Sequence, residues 1–145
     1  MKEIHIYLYS TVKSCRGGNG AYTYILETDT SKGNATISKT EIVENVTAHK
    51  SILLALAAAL KRIRQESYLV IYTDSNYVAV NAKRSLAKWK KNGWKTARGE
   101  PVKNREEWQE IGWLIKPYSF EFVVNSWNSY YQWMKEESEK AARCI

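Results

Sequence analysis

Residues 67–73 run Ser-Tyr-Leu-Val-Ile-Tyr-Thr without one charge. An apolar run this short is a strand, and a strand apolar on both sides must be covered on both faces. That predicts a central strand with helices above and below it, which excludes an open meander with one wet face. The flanking segments supply the rest of such a fold. Ile4, Ile6 and Leu8 alternate with His5, Tyr7 and Tyr9, the period of a strand. Glycines 17, 18 and 20 predict a turn, and residues 21–28 a second strand. Ser31-Lys32-Gly33-Asn34 predicts another turn, and residues 35–42 a third strand. Short turns make these three an antiparallel meander. Thr47 is placed to cap a helix over 48–65, rich in Ala and Leu and apolar on most sides. After the central strand, Ser75 opens a helix, residues 103–116 are helical in pattern, 118–124 form a strand and 133–143 a last helix. The expected class is α/β: a five-stranded mixed sheet, three antiparallel strands then parallel ones, with helices on both faces.

The 145 residues read as a single domain, 1–145, with two prolines and no low-complexity tract. Cys15 and Cys144 are too few for a disulfide framework and lack metal-ligand spacing. With no signal-peptide pattern and no apolar stretch of membrane-spanning length, the expectation is a cytoplasmic protein with no membrane contact. His5 and His49 lack companions for a metal or triad and are read as surface or packing residues.

Charge is the second strong feature. Between Lys83 and Arg105 lie nine Lys or Arg and one acid, Glu100, so this segment carries +8 while the whole chain carries +7. Trp89 and Trp94 sit among the cations. Such a run displaces counterions from a phosphate backbone, and flat rings face sugars and bases. A solvated charged helix is the bland alternative, but those usually mix both signs. An anionic partner follows, and local clustering favours nucleic acid over a membrane surface.

The chemistry-bearing motif begins at Asp74, a carboxylate at the end of the buried strand, where α/β proteins commonly bind ligands. Asp74-Ser75-x-Tyr77-Val78 is followed by Trp89-Lys90-Lys91-x-Gly93-Trp94-Lys95-Thr96, then Pro101-Val102-Lys103-Asn104 and Trp108. This run resembles type 1 bacterial ribonuclease H. Residues 83–105 are similar to that family's basic handle, which grips the DNA strand of an RNA–DNA hybrid. Gly17-Gly18-x-Gly20-Ala21 resembles its glycine turn after strand one. The resemblance implies a ribonuclease H-like fold, and a metal-dependent hydrolysis run by four carboxylates around two divalent ions, one bridging both.

Carried across position by position, the motif departs from the family. Tyr9 stands where the bridging Asp should end strand one, in Leu8-Tyr9-Ser10-Thr11. Ile52 stands where the long helix should carry Glu, in His49-Lys50-Ser51-Ile52-Leu53. Asp74 matches the third acid, and an ungapped run from Tyr118 puts Glu136 at the fourth, with Ser138-Glu139 in place of the usual Leu-Ala pair. Asn125-Ser126-Trp127-Asn128 replaces the family's Gly-His-Ala-Gly loop, so Ser126 takes the place of the histidine. Mg²⁺ demands oxygen ligands, which an alkyl group cannot supply. Glu41, Glu44 and Glu121 are the nearest substitutes in sequence and are read as solvated surface acids.

The expectation is therefore a ribonuclease H-like domain that binds RNA–DNA hybrid or duplex but has lost two-metal hydrolysis. Lys88, Trp89, Lys90, Lys91, Trp94, Lys95 and Asn104 would contact the backbone, with recognition by shape and 2′-hydroxyls. No cofactor is expected. Mg²⁺ or Mn²⁺ belongs only to a rival reading, an enzyme with residual activity on Asp74 and Glu136. A second rival is a protein-interaction or homodimer module. It would use Tyr9, Trp127, Tyr130, Tyr131 and Trp133, which otherwise fill the former site as core.

Overall fold

The computed structural model describes residues 2–144. Five strands form one sheet in the order β3-β2-β1-β4-β5: β1 (Lys2–Ser10), β2 (Gly18–Thr30), β3 (Gly33–Val46), β4 (Ser67–Thr73) and β5 (Ser119–Val124). The first three pair antiparallel, while β4 runs parallel to both β1 and β5. Leu69 and Ile71 of β4 are fully buried and Val70 nearly so, as a strand covered on both sides requires.

The alternation along β1 sorts the core into two layers. Ile4, Ile6 and Leu8 pack with helix α1 (Ala48–Leu60), whose Leu53, Leu56 and Leu60 are buried beneath Trp108 and Ile111. Tyr7 and Tyr9 point to the opposite face, where Ile25 and Met134 join them. Met134 comes from helix α5 (Tyr131–Ala142), which covers that face. Helix α5 is pinned by a buried hydrogen bond between the Thr23 and Ser138 hydroxyls, 2.6 Å apart.

Thr47 does cap α1, its hydroxyl accepting from the Lys50 N–H at 3.1 Å, but the helix ends at Leu60 rather than 65. The second strand is longer than the glycines suggested. Gly18 and Gly20 belong to β2, with a register shift between them, and only Gly17 (φ +107°) makes the turn. Gly20 answers to close approach instead: a Cβ there would lie 2.3 Å from Thr11 Oγ1 and 2.8 Å from Val12 Cγ2. The last helix begins at Tyr131, two residues earlier than expected.

Between β4 and β5 the chain runs through α2 (Asn76–Val80), a π-helical turn (Asn81–Ser85), α3 (Leu86–Lys91) and α4 (Arg105–Ile115). The wider turn at Asn81–Ser85 opens the basic segment, and Ala82 within it and Leu86 after it still pack into the core. No helix is long and apolar enough to cross a membrane, among the described residues.

Candidate nucleic-acid interface and the cavity at the strand ends

Strands β1 and β4 are in parallel register with Tyr7 opposite Tyr72. Two residues further on, Tyr9 and Asp74 stand side by side at the carboxyl end of the sheet. Helix α1 starts at this edge and brings Ile52 to the same place. Tyr9, Ile52 and Asp74 all line one cavity of about 350 Å³, together with Leu8, Ser10, Lys13, His49 and Tyr77. The three positions singled out from the sequence are thus assembled by the fold.

Tyr9 is 5% exposed, its ring edge-on to Tyr131 at 5.4 Å and 90°. Burial pushes its phenol pKa up, with Tyr131, Glu139 and Asp74 adding to the rise. The Tyr131 hydroxyl is raised in the same direction, first by burial and then by the charge of Asp74. Both phenols are therefore neutral at physiological pH, so neither supplies the negative charge of a carboxylate. Asp74 itself is exposed. Beneath it, Ser10 and Ser51 share a buried hydrogen bond of 2.5 Å. This small polar pair, set between apolar residues, was not foreseen from sequence.

Glu136 does not join this group. It is exposed on α5, where its carboxylate accepts a hydrogen bond from Gln132 Nε2 at 3.1 Å, and it does not line the cavity. The ungapped count expected it to open the last helix, and it lies within α5 rather than at its start. The face α5 turns to the sheet is set by Met134 and Ser138, and Glu136 lies off that face. Glu41 pairs with Lys39 at 2.9 Å, and neither it, Glu44 nor Glu121 reaches the cavity. Among the described residues no three His, Cys, Asp or Glu side chains are grouped to hold a metal ion. One carboxylate beside a phenol and an alkyl chain does not fit an octahedral Mg²⁺ shell.

Ser126 lies exposed in the loop after β5, which opens with Asn125 at φ 55° donating its N–H to Thr73 O at 3.2 Å. The five aromatic residues expected together divide into two groups. Tyr9 is core, Tyr130 and Tyr131 are half-buried against it, and Tyr130 packs edge-on to Tyr7 at 4.9 Å. Trp127 and Trp133 are exposed, at 85% and 43%.

The basic segment has a defined shape. After α3, Gly93 (φ +67°) and Trp94 (φ 63°) reverse the chain, and Trp94 N–H bonds back to Trp89 O at 2.8 Å. Val102 N–H then donates to Trp94 O and Thr96 N–H to Glu100 O, closing a small hairpin through Gly99. Lys88, Lys90, Lys91 and Lys95 are exposed on it. None of the nine cations between Lys83 and Arg105 forms an ion pair among the described residues, so their field is not cancelled locally.

Four of the residues expected to face a ligand also do structural work. Trp89 packs edge-on to Trp108 at 5.5 Å, and both Trp89 and Trp94 are half-buried against the core. The Lys90 ammonium donates to Gly112 O at 3.1 Å. Indole rings in a segment this polar are its best anchors, which is why the tryptophans are turned partly inward. Asn104 (φ 58°) starts α4, and its Nδ2 approaches the Tyr77 hydroxyl at 3.4 Å, which also accepts from Trp108 Nε1 at 3.0 Å. Tyr77 in turn stacks on His49 at 3.9 Å and 6°. His49 is a surface residue, as expected, but it lines the cavity. The Asn104–Tyr77–His49 chain thus joins the base of the basic segment to the cavity.

Comparison with known proteins agrees with this architecture. Residues 5–135 match the family described as RNase H. The chain is 35% identical over 130 residues to a ribonuclease H of Clostridium botulinum, spanning 85% of this chain and 82% of that protein. It is 32% identical over 120 residues to a ribonuclease H of Cupriavidus pinatubonensis, covering 81% and 78%. Among solved structures, LC9-RNase H1, described as a type 1 RNase H with the type 2 active-site motif, superposes with a TM-score of 0.79 at 17% identity. That match covers 99% of this chain and 74% of the other. LC11-RNase H1 in complex with an RNA/DNA hybrid gives 0.62 at 15% identity, covering 97% and 99%. By the family match over residues 5–135 and these identities, the chain belongs to the RNase H family.

Proposed function

We propose that this chain is a nucleic-acid-binding member of the RNase H family that takes RNA–DNA hybrid or duplex through residues 83–105 and does not hydrolyse it by a two-metal route. The observation that carries the reading is the donor set of the strand-end cavity. Tyr9 and Ile52 stand beside Asp74 where the family resemblance calls for acids, and Glu136 is turned away. Two-metal hydrolysis needs a carboxylate that bridges both ions and further oxygen ligands around each. A neutral phenol and a sec-butyl group meet neither need.

Binding has independent support. Residues 83–105 carry eight net positive charges, none of their cations forms an ion pair among the described residues, and LC11-RNase H1, of like fold, was solved with an RNA/DNA hybrid. Such contacts track backbone shape and 2′-hydroxyls rather than base sequence.

The test is paired. A hybrid of mixed sequence is incubated with the protein in Mg²⁺ and in Mn²⁺, and its binding is followed separately. The expected outcome is binding without cleavage. Cleavage that vanishes in Asp74→Asn would overturn the non-hydrolytic reading, since a contaminating nuclease would be indifferent to that substitution.

A further inference from the structure

The strand-end cavity is lined by one cation as well as one acid. Lys13, in the loop after β1, holds its ammonium 4.6 Å from the centroid of the Tyr9 ring and lines the cavity. A cation over an aromatic face is held in place without being neutralised. Lys13 makes no ion pair within 4.0 Å among the described residues, and Asp74 is the one acid among the lining residues. Helix α1 opens at the cavity with no acid in its first turn.

Further cations flank the opening. Lys135 of α5 is near enough to act on Lys13, whose pKa is lowered first by partial desolvation, raised by Asp74 and lowered to a smaller extent by Lys135. Lys103 lies close enough to His49 to lower its pKa, after the larger effect of partial desolvation where the ring lines the cavity. Lys103 belongs to the basic segment, and its neighbour Asn104 joins the cavity wall through Tyr77. Lys103 thus lies near His49 and Lys135 near Lys13, with Asp74 and Glu139 the acids that act on Tyr9.

We infer that this cavity receives a backbone phosphate of the bound nucleic acid, with the Lys13 ammonium as its counter-charge, so that the strand is held at this edge without a metal ion. The inference rests on the binding reading above and adds a second contact point to it. Tyr9 does double duty: it removes a carboxylate that would repel the phosphate, and its ring fixes the cation that attracts it.

Hybrid binding is measured by fluorescence anisotropy in EDTA and again in millimolar Mg²⁺, for the parent, Lys13→Ala, Lys13→Arg, Asp74→Asn and the triple variant Lys88→Ala, Lys91→Ala, Lys95→Ala. Loss of one phosphate contact should weaken Lys13→Ala roughly fivefold at about 0.15 M salt, and reduce the slope of log affinity against log salt by about 0.9 as on duplex DNA. Lys13→Arg should keep parental affinity. Asp74→Asn should tighten binding, equally with and without Mg²⁺, because an acid beside a phosphate only repels it. If Lys13→Ala binds as the parent does while the triple variant is weakened, the cavity contact is wrong and the basic-segment reading stands. If Asp74→Asn weakens binding only when Mg²⁺ is present, the cavity is a metal site and the inference falls. If neither Lys13→Ala nor the triple variant loses affinity, both readings fall together.

Discussion

A single residue position can decide whether a site holds metal. Tyr9 and Ile52 sit with Asp74 around one cavity, where three acids without metal would repel one another. With a phenol and an alkyl group beside Asp74 that repulsion is absent, so the parent protein should melt at the same temperature in EDTA and in millimolar Mg²⁺. Introducing Tyr9→Asp and Ile52→Glu together should reverse this. Placing two carboxylates beside Asp74, one at a buried position, and losing the Tyr9 ring from the core should cost about 2–4 kcal/mol without metal. The melting temperature of the double variant should then rise with added Mg²⁺, because a ligand of the folded state alone stabilises it. Thermal melts of both proteins across a Mg²⁺ titration check the pair. A parent that gains several degrees in Mg²⁺ would contradict the donor-set reading.

At the scale of an element, the basic segment is held to the body by its own would-be ligand residues. Trp89 meets Trp108, and Lys90 donates to Gly112 O. Substitutions here therefore divide by effect. Lys88→Ala, Lys91→Ala and Lys95→Ala touch only solvated side chains and should leave the melting temperature within a degree or two while weakening binding of all sequences alike. Trp89→Ala should cost about 2–4 kcal/mol of stability, since it empties a half-buried aromatic contact. Chemical denaturation beside a binding titration separates the two classes. A Trp89→Ala protein of parental stability and reduced affinity would mean the ring faces the ligand rather than the core.

For the whole molecule, the tyrosines buried on both faces of the sheet predict how stability depends on pH. Burial pushes the Tyr22 phenol up to about 12 from an ordinary value of 10.0, with Glu41 adding to the rise. Tyr7 is raised still further, first by burial and then by its hydrogen bond to Glu27 at 2.9 Å. A pKa higher in the folded state means that folding favours the protonated phenol. The contribution is complete below pH 10 and is lost as pH climbs through 10 toward 12 and beyond. Stability should be insensitive to these groups near neutrality and fall steeply above pH 10. Tyr22→Phe should flatten that alkaline limb, measured by urea denaturation across pH 8 to about 11. An unchanged limb would show that Tyr22 ionises as freely folded as unfolded.

The amino-acid sequence alone determined the order of elements and much of what surrounds the strand-end cavity. Alternation along 4–9, the unbroken apolar run at 67–73 and the Thr47 cap are local signals, and local sterics and hydrogen bonding act on them directly. The resemblance around Asp74 likewise picked out Tyr9 and Ile52, because a fixed fold keeps the same residues at its strand ends. Tertiary structure decided what depends on orientation. Glu136 and Met134 are two residues apart on α5, yet one is solvated and the other fully buried. Only docking against β1 and β2 chooses the inward face of that helix. The same holds for Trp89, whose place in a charge run says nothing of whether its ring turns to solvent or to Trp108. Lys13 carries no motif at all: it became part of the cavity because the loop after β1 folds back over Tyr9, a proximity that no spacing in the chain encodes.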